Sequence, residues 1–119
     1  MKIYYAHPMS LYGTPQEQRD LELLSTLGTP INPSDTVHAQ RVWELVHNER
    51  MDYFLKLVDQ CDMVAFRAFP DGSIPSGVAA EITQARMWGK PVIELPCGME
   101  RRTLTLSQTL EHLHQIGQR

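Results

Sequence analysis

A chain of 119 residues, 42% hydrophobic and 21% charged, has the composition of one globular domain spanning 1–119, not of a disordered or fibrous protein. Its net charge of −3 supplies no basic field for a nucleic-acid polymer, and no apolar run approaches the roughly 20 residues that cross a bilayer. The N-terminus lacks a signal-peptide pattern, and Cys61 and Cys97 have neither disulfide-framework nor metal spacing, so a reducing cytoplasm is the expected compartment.

Lys2 to Ala6 is a β-rich run stopped by His7-Pro8 and predicts a first strand. Ser10 to Thr14 is polar with a glycine and predicts a loop, after which Pro15 suits a first helical turn. Leu21, Leu24 and Leu27 give that helix an apolar face, and Gly28 stands where a C-cap belongs. Thr29 to Asn32 predicts a short second strand. Val42, Val46, Tyr53 and Leu57 recur at helical spacing and predict one long helix over His38 to Asp59.

Asp62 to Phe66 predicts a buried strand, and Phe69 to Ser76 a loop with two prolines and a glycine. A helix over Gly77 to Trp88 ends at Gly89, and Pro91 to Leu95 predicts another strand. The tail offers a strand at Thr103 to Leu106 and a helix from Ser107 to Gln115. Strands alternating with helices call for an α/β fold: a Rossmann or flavodoxin-like three-layer sandwich with a mainly parallel sheet of four or five strands. Ligands bind such sheets beyond the carboxyl ends of the strands. That rule selects three loops, His7 to Thr14, Asn32 to Thr36 and Arg67 to Gly77.

Among the chemistry-bearing residues, Ser76-Gly77 opens a helix whose free N–H groups suit an anion, with serine able to cap and glycine letting a ligand approach. Glu81 lies one turn on, flanking an inward stripe of Val78, Ile82 and Ala85. Helical position alone favours a solvated glutamate there. The neighbouring helix amides are expected to help keep its carboxylate ionised, the form a nucleophile needs. His112 and His114 are two apart on a helix and make no metal pair, and no P-loop or dinucleotide signature is present. No cofactor is expected.

Tyr4, Asp62, Gly77, Glu81, Ala85 and the run Gly89-Lys90-Pro91-Val92 together resemble the nucleoside 2-deoxyribosyltransferase-like superfamily. That group holds nucleoside deoxyribosyltransferases and 2′-deoxynucleoside 5′-phosphate N-hydrolases. The resemblance implies that Glu81 attacks the anomeric carbon as the base departs, giving a glycosyl-enzyme ester that water or a second base resolves. It implies that Tyr4 orients this carboxylate and that Asp62 and Ser76 contact substrate, Ser76 through a 5′-phosphate. It also implies a homo-oligomer, a small nucleoside or nucleotide as partner, and no membrane. Two positions depart from the family pattern: Pro75 replaces an acidic residue six before the nucleophile, and Phe54 stands where an aspartate is usual, with Asp52 two residues earlier. Two residues turn a helix by about 200°, so Asp52 serves only if the helix shifts.

The first loop would line the same crevice through His7, Pro8, Met9, Ser10 and Gly13, with His7 against the base and Ser10, Gly13 and Arg19 near a phosphate. A nucleotide-binding or sensing module without turnover is the alternative function.

Overall fold

The computed structural model describes residues 1–43, 45, 47–96 and 106–115. Strand β1 (Lys2–Ala6) leads through a 3-10 turn at Met9–Leu11 into helix α1 (Pro15–Ser25), and β2 (Thr29–Ile31) follows. Helices α2 (Thr36–Trp43) and α3 (His47–Gln60) precede β3 (Met63–Phe66). Helix α4 (Ser76–Met87), strand β4 (Val92–Glu94) and helix α5 (Leu106–Gln115) complete the order. The sheet runs β2-β1-β3-β4, and every neighbouring pair is parallel. This is the α/β, flavodoxin-like arrangement that the alternation of elements predicts.

Period-two alternation divides the buried strand residues between two faces. Tyr4, Ala6, Val64 and Phe66 face one way and pack with Val58 of α3, with Cys61 just after it, and with Val78, Ile82 and Ala85 of α4. Ile3, Tyr5, Met63 and Ala65 face the other way, toward Leu24 of α1 and Leu95. Helix α4 carries a glycine, a valine, an isoleucine and a threonine, a modest set of helix formers. Burying Val78 and Ile82 against the sheet, at about 1.5–3 kcal/mol each, outweighs those propensity losses of a few tenths to 1 kcal/mol.

Caps and close approaches set the helix ends. The Thr14 hydroxyl accepts from the Glu17 N–H at 3.3 Å, with Pro15 in the first turn of α1. At Gly28 a Cβ would stand 2.5 Å from the Met1 carbonyl oxygen, so the turn into β2 has room only for glycine. Gly89 takes φ +67° at the end of α4. The next residue, Lys90, donates to the carbonyls of Val58, Asp59 and Cys61 at 3.0, 2.6 and 2.8 Å, closing the C-terminus of α3.

The single long helix expected over His38 to Asp59 is instead two helices, α2 and α3. Between them the Leu45 carbonyl accepts from the Arg50 Nε at 3.1 Å rather than from a helical N–H. This side-chain bond draws no proline or glycine into the sequence, so hydrophobic spacing reads through the break. Val46 of the expected stripe lies outside the described residues, as do Cys97 and positions 103–105 of the expected tail strand. Leu106 opens α5.

Candidate active site

The order β2-β1-β3-β4 reverses direction of growth between β1 and β3. In an open parallel sheet the loops leaving two such strands part, and a crevice opens beyond their carboxyl ends. His7 to Thr14 leaves β1 there, Arg67 to Pro75 leaves β3, and α4 returns beneath the opening. The first three residues of α4 have N–H groups without a side-chain cap, and a Cβ at Gly77 would meet open space.

Glu81 is buried, only 7% exposed, on the same side as Val78, Ile82 and Ala85. Helical position favoured a solvated glutamate; the fold places it inward. Burial pushes its carboxyl up to about 7, and Tyr4 opposes that rise. Desolvation therefore defeats the helix amides expected to keep it ionised. The field of a helix N-terminus falls off within the first turn, and Glu81 begins the second.

Tyr4 comes from β1, fully buried, and its pKa is raised well above 10 by burial and then by the Glu81 charge. Its hydroxyl is the buried side-chain polar atom without a hydrogen-bond partner among the described residues. Tyr4 and Glu81 thus influence each other's ionisation, yet their separation or angle falls outside hydrogen-bond geometry.

Half-buried Tyr12, from the first loop, is pushed up to about 12 by burial and then by the charges of Glu81 and Glu17. Two phenols thus lie within electrostatic reach of one carboxyl. Tyr4→Phe should move the Glu81 midpoint above its present value, because the Tyr4 hydroxyl is what lowers it. The NMR titration of Glu81 in this variant checks the sign.

The opposite face of the sheet carries two buried carboxylates three residues apart on α1, Glu17 and Asp20. Burial opposes the ionisation of each, and hydrogen bonds prevail. His7, Ser34 and the Gly13 N–H hold Glu17 below its ordinary value. Arg67, Tyr5 and Gln16 do the same for Asp20. Arg67 meets Asp20 through Nε and through Nη2 at 2.7 Å, and its Nη1 donates to the Pro96 carbonyl. The Tyr5 hydroxyl also donates to Asp20. These bonds tie β1, α1 and the ends of β3 and β4 together.

The expected site residues separate into groups. Tyr4, Glu81 and the Ser76-Gly77 end of α4 all lie on the α4 side of the sheet. Ser76, expected as a cap, is the first residue of the helix, and the position before it is Pro75. Asp62 belongs elsewhere: it precedes β3 at the amino end of a parallel strand, opposite the crevice. There its Oδ2 accepts from the Lys2 N–H at 2.7 Å and pins β1 to β3.

His7 is not a crevice wall either. Its side chain is wholly covered, stacked 3.8 Å from the Tyr5 ring, with Nδ1 2.9 Å from the Tyr5 carbonyl oxygen and Nε2 2.7 Å from Glu17. Both ring nitrogens are committed to oxygen acceptors.

Pro8 is buried, whereas Met9 and Ser10 are exposed on the 3-10 turn. The Gly13 N–H is engaged by Glu17 at 3.2 Å. Asp52 is exposed on α3, and Arg19 is exposed on α1 beside Gln16 at 3.3 Å.

Glu17, Asp20, Ser34 and Arg67 escape a linear reading, because they have partners ten to forty-seven residues away. The signal present was the spacing Glu17-x-x-Asp20, which puts two acids on one helix face. An open cavity of about 480 Å³ near β2 is lined by Ser34, Thr36, Ala39, Gln40 and Trp43. Glu81 does not line it, so the buried carboxyl marks the site better than cavity size does.

Among solved structures, the fold is similar to that of a 2-desoxiribosyltransferase from Leishmania mexicana, with 18% identity and a TM-score of 0.56. The match covers 79% of this chain and 63% of that one, so the chain spans less than two thirds of that protein's length. At this identity the likeness establishes the α/β fold. No family model and no curated protein matches the sequence.

Proposed function

We propose that this chain cleaves or exchanges the N-glycosidic bond of a (deoxy)nucleoside or its 5′-monophosphate, with Glu81 as nucleophile. The observation that carries this reading is a buried carboxyl beside a buried phenol whose hydroxyl has no partner. An unsatisfied buried hydroxyl costs about 1–3 kcal/mol, and a buried carboxylate without a cation costs stability as well. Such pairs gather at functional sites, where strain on stability serves chemistry. The fold-level likeness to a 2-desoxiribosyltransferase agrees with this assignment.

In this mechanism the Tyr4 hydroxyl donates to one Glu81 oxygen and orients the other toward the anomeric carbon. The bond from that carbon to the base nitrogen breaks, its electron pair leaves with the base, and solvent supplies the proton the base takes up. A carbon–oxygen bond to Glu81 forms. Water then attacks the ester and returns the carboxylate, or a second base does so and yields a new nucleoside. The uncapped N–H groups at Ser76 and Gly77 would receive a 5′-phosphate.

One observation favours binding without turnover: Pro75 and Phe54 replace two family acids, and Asp62 lies at the far end of its strand. Chromatography of free base after incubation with a panel of nucleosides and 5′-monophosphates, with and without an acceptor base, separates the readings. Base release is expected, at a rate that rises with pH through about 7 as Glu81 ionises. Ligand-induced thermal stabilisation with no base from any substrate would assign the chain to the binding module.

A further inference from the structure

We propose that the loops leaving β1 and β2 form one two-state wall, latched to α1 by Glu17 and released when the Ser34 hydroxyl turns from Glu17 to Asn32. The inference does not depend on which residue reacts in the crevice.

Glu17 touches both loops directly. Its Oε1 accepts from the Gly13 N–H at 3.2 Å and its Oε2 lies 2.7 Å from His7 Nε2, both in the segment after β1. The same Oε2 accepts from the Ser34 hydroxyl at 2.8 Å, in the segment after β2. The first segment leaves β1 at the crevice, and Ser34 and Thr36 of the second line the open cavity of about 480 Å³. One carboxylate on α1 therefore joins two recesses at the carboxyl ends of neighbouring strands. Its bonds from His7, Ser34 and Gly13 hold it ionised against the cost of burial.

The released state is built into the same atoms. The Ser34 hydroxyl has one proton and two acceptors in range, Glu17 Oε2 at 2.8 Å and Asn32 Oδ1 at 3.0 Å. A hydrogen bond to a carboxylate is the stronger of the two kinds, so the latched form is the resting one. Asn32 Oδ1 also accepts from the Ser34 N–H at 3.0 Å, and the Asn32 carbonyl accepts from the Asp35 N–H at 3.0 Å. The segment after β2 thus keeps its own turn when the latch opens, and the hydroxyl keeps a partner.

The segment after β1 is preformed as well. The Leu11 N–H donates to the Pro8 carbonyl at 3.0 Å, and the Tyr12 and Thr14 N–H groups donate to the Met9 and Leu11 carbonyls at 3.1 Å. Gly13 takes φ +74° among them, a turn that glycine adopts without strain. Each loop therefore holds its shape by itself, and Glu17 is the group that bonds both. Letting go of Ser34 frees the β1 wall to move as a unit.

Amide hydrogen exchange, read by NMR on the full chain without substrate, tests the coupling. Ser34→Ala alters the β2 side alone. It should nevertheless speed exchange of the Leu11, Tyr12 and Thr14 amides by about tenfold, the worth of one charge-assisted bond. Ser34→Thr keeps the hydroxyl and should restore the native rates. Glu17→Gln, which turns an amide N–H₂ toward donors, should speed both segments together.

Should Glu17→Gln fail to fold, the two Ser34 variants decide. Native rates after β1 in Ser34→Ala, with any change confined to residues 32–36, would show that the loops open separately and overturn the proposal. A uniform rise that includes Tyr4 and Val64 in the central strands would mean a loss of global stability, and overturns it too.

Discussion

Glu81→Gln should lower base release by at least about 10³-fold while making the protein more stable at alkaline pH. The first effect follows from the role: an amide cannot form the glycosyl ester, and what remains is binding and orientation. The second follows from burial. Glu81 titrates near 7 in the folded chain against an ordinary value of 4.5. Between those values the folded protein keeps a proton that the unfolded chain has released, so stability falls as pH rises from about 4.5 to 7. Above 7 the penalty is complete, on the order of 3 kcal/mol.

Glutamine carries no such penalty. Urea unfolding at pH 8 should show the variant ahead by up to that amount, with the two proteins converging below about pH 4.5. A variant less stable than the native chain at both pH values would mean that the carboxylate is stabilised by a partner, and would remove the functional argument drawn from its burial. Loss of activity together with a gain in stability is the pattern of a group kept for chemistry.

Asp20→Ala should cost about 3–5 kcal/mol, the largest stability loss predicted for a single substitution here. Asp20 takes two bonds from Arg67 and one each from Tyr5 and Gln16, and both ends of the ion pair are buried. Without it, the buried Arg67 guanidinium loses two hydrogen bonds and the Tyr5 hydroxyl loses its acceptor. The double variant Asp20→Ala with Arg67→Met should cost less than the sum of the two single changes, because both break the same network.

Acid should act in the same direction. The Asp20 pKa is lowered below 3.8 in the folded state despite burial. Its contribution is therefore full above the unfolded value and is lost as pH falls through the folded one. Thermal unfolding of these variants and the native chain at pH 7 and pH 3 would measure both effects. A single variant that unfolds within about 1 kcal/mol of the native chain would refute this role for the network.

Part of the fold and of the candidate site was legible in the chain itself. Local rules placed β1 at Lys2 to Ala6 and began α1 at Pro15, because a strand stop at His7-Pro8 and a proline in the first helical turn act within a few residues. Alternating elements implied a parallel sheet, and the stripe Val78, Ile82 and Ala85 is buried as its spacing required. The three loops at the carboxyl ends of the strands were legible for the same reason.

Partnership was not. Asp62 opens a strand of a sheet expected to be parallel, so its place at the amino end could be read from the chain; it was the resemblance that assigned it to substrate, and the structure shows it pinning Lys2 instead. His7 has the side chain of a proton donor, and only the packing of Tyr5 and Glu17 around it turns it into a buried support. Glu81 carries no mark of burial in its own sequence neighbourhood, since helical glutamates are usually solvated. Its inward placement beside Tyr4, 77 positions earlier in the chain, depends on α4 docking against β1 and β3. Periodicity and capping act over a single turn or strand and can be read locally; desolvation and charge pairing depend on residues distant in the chain, and exist only once the sheet has brought them together.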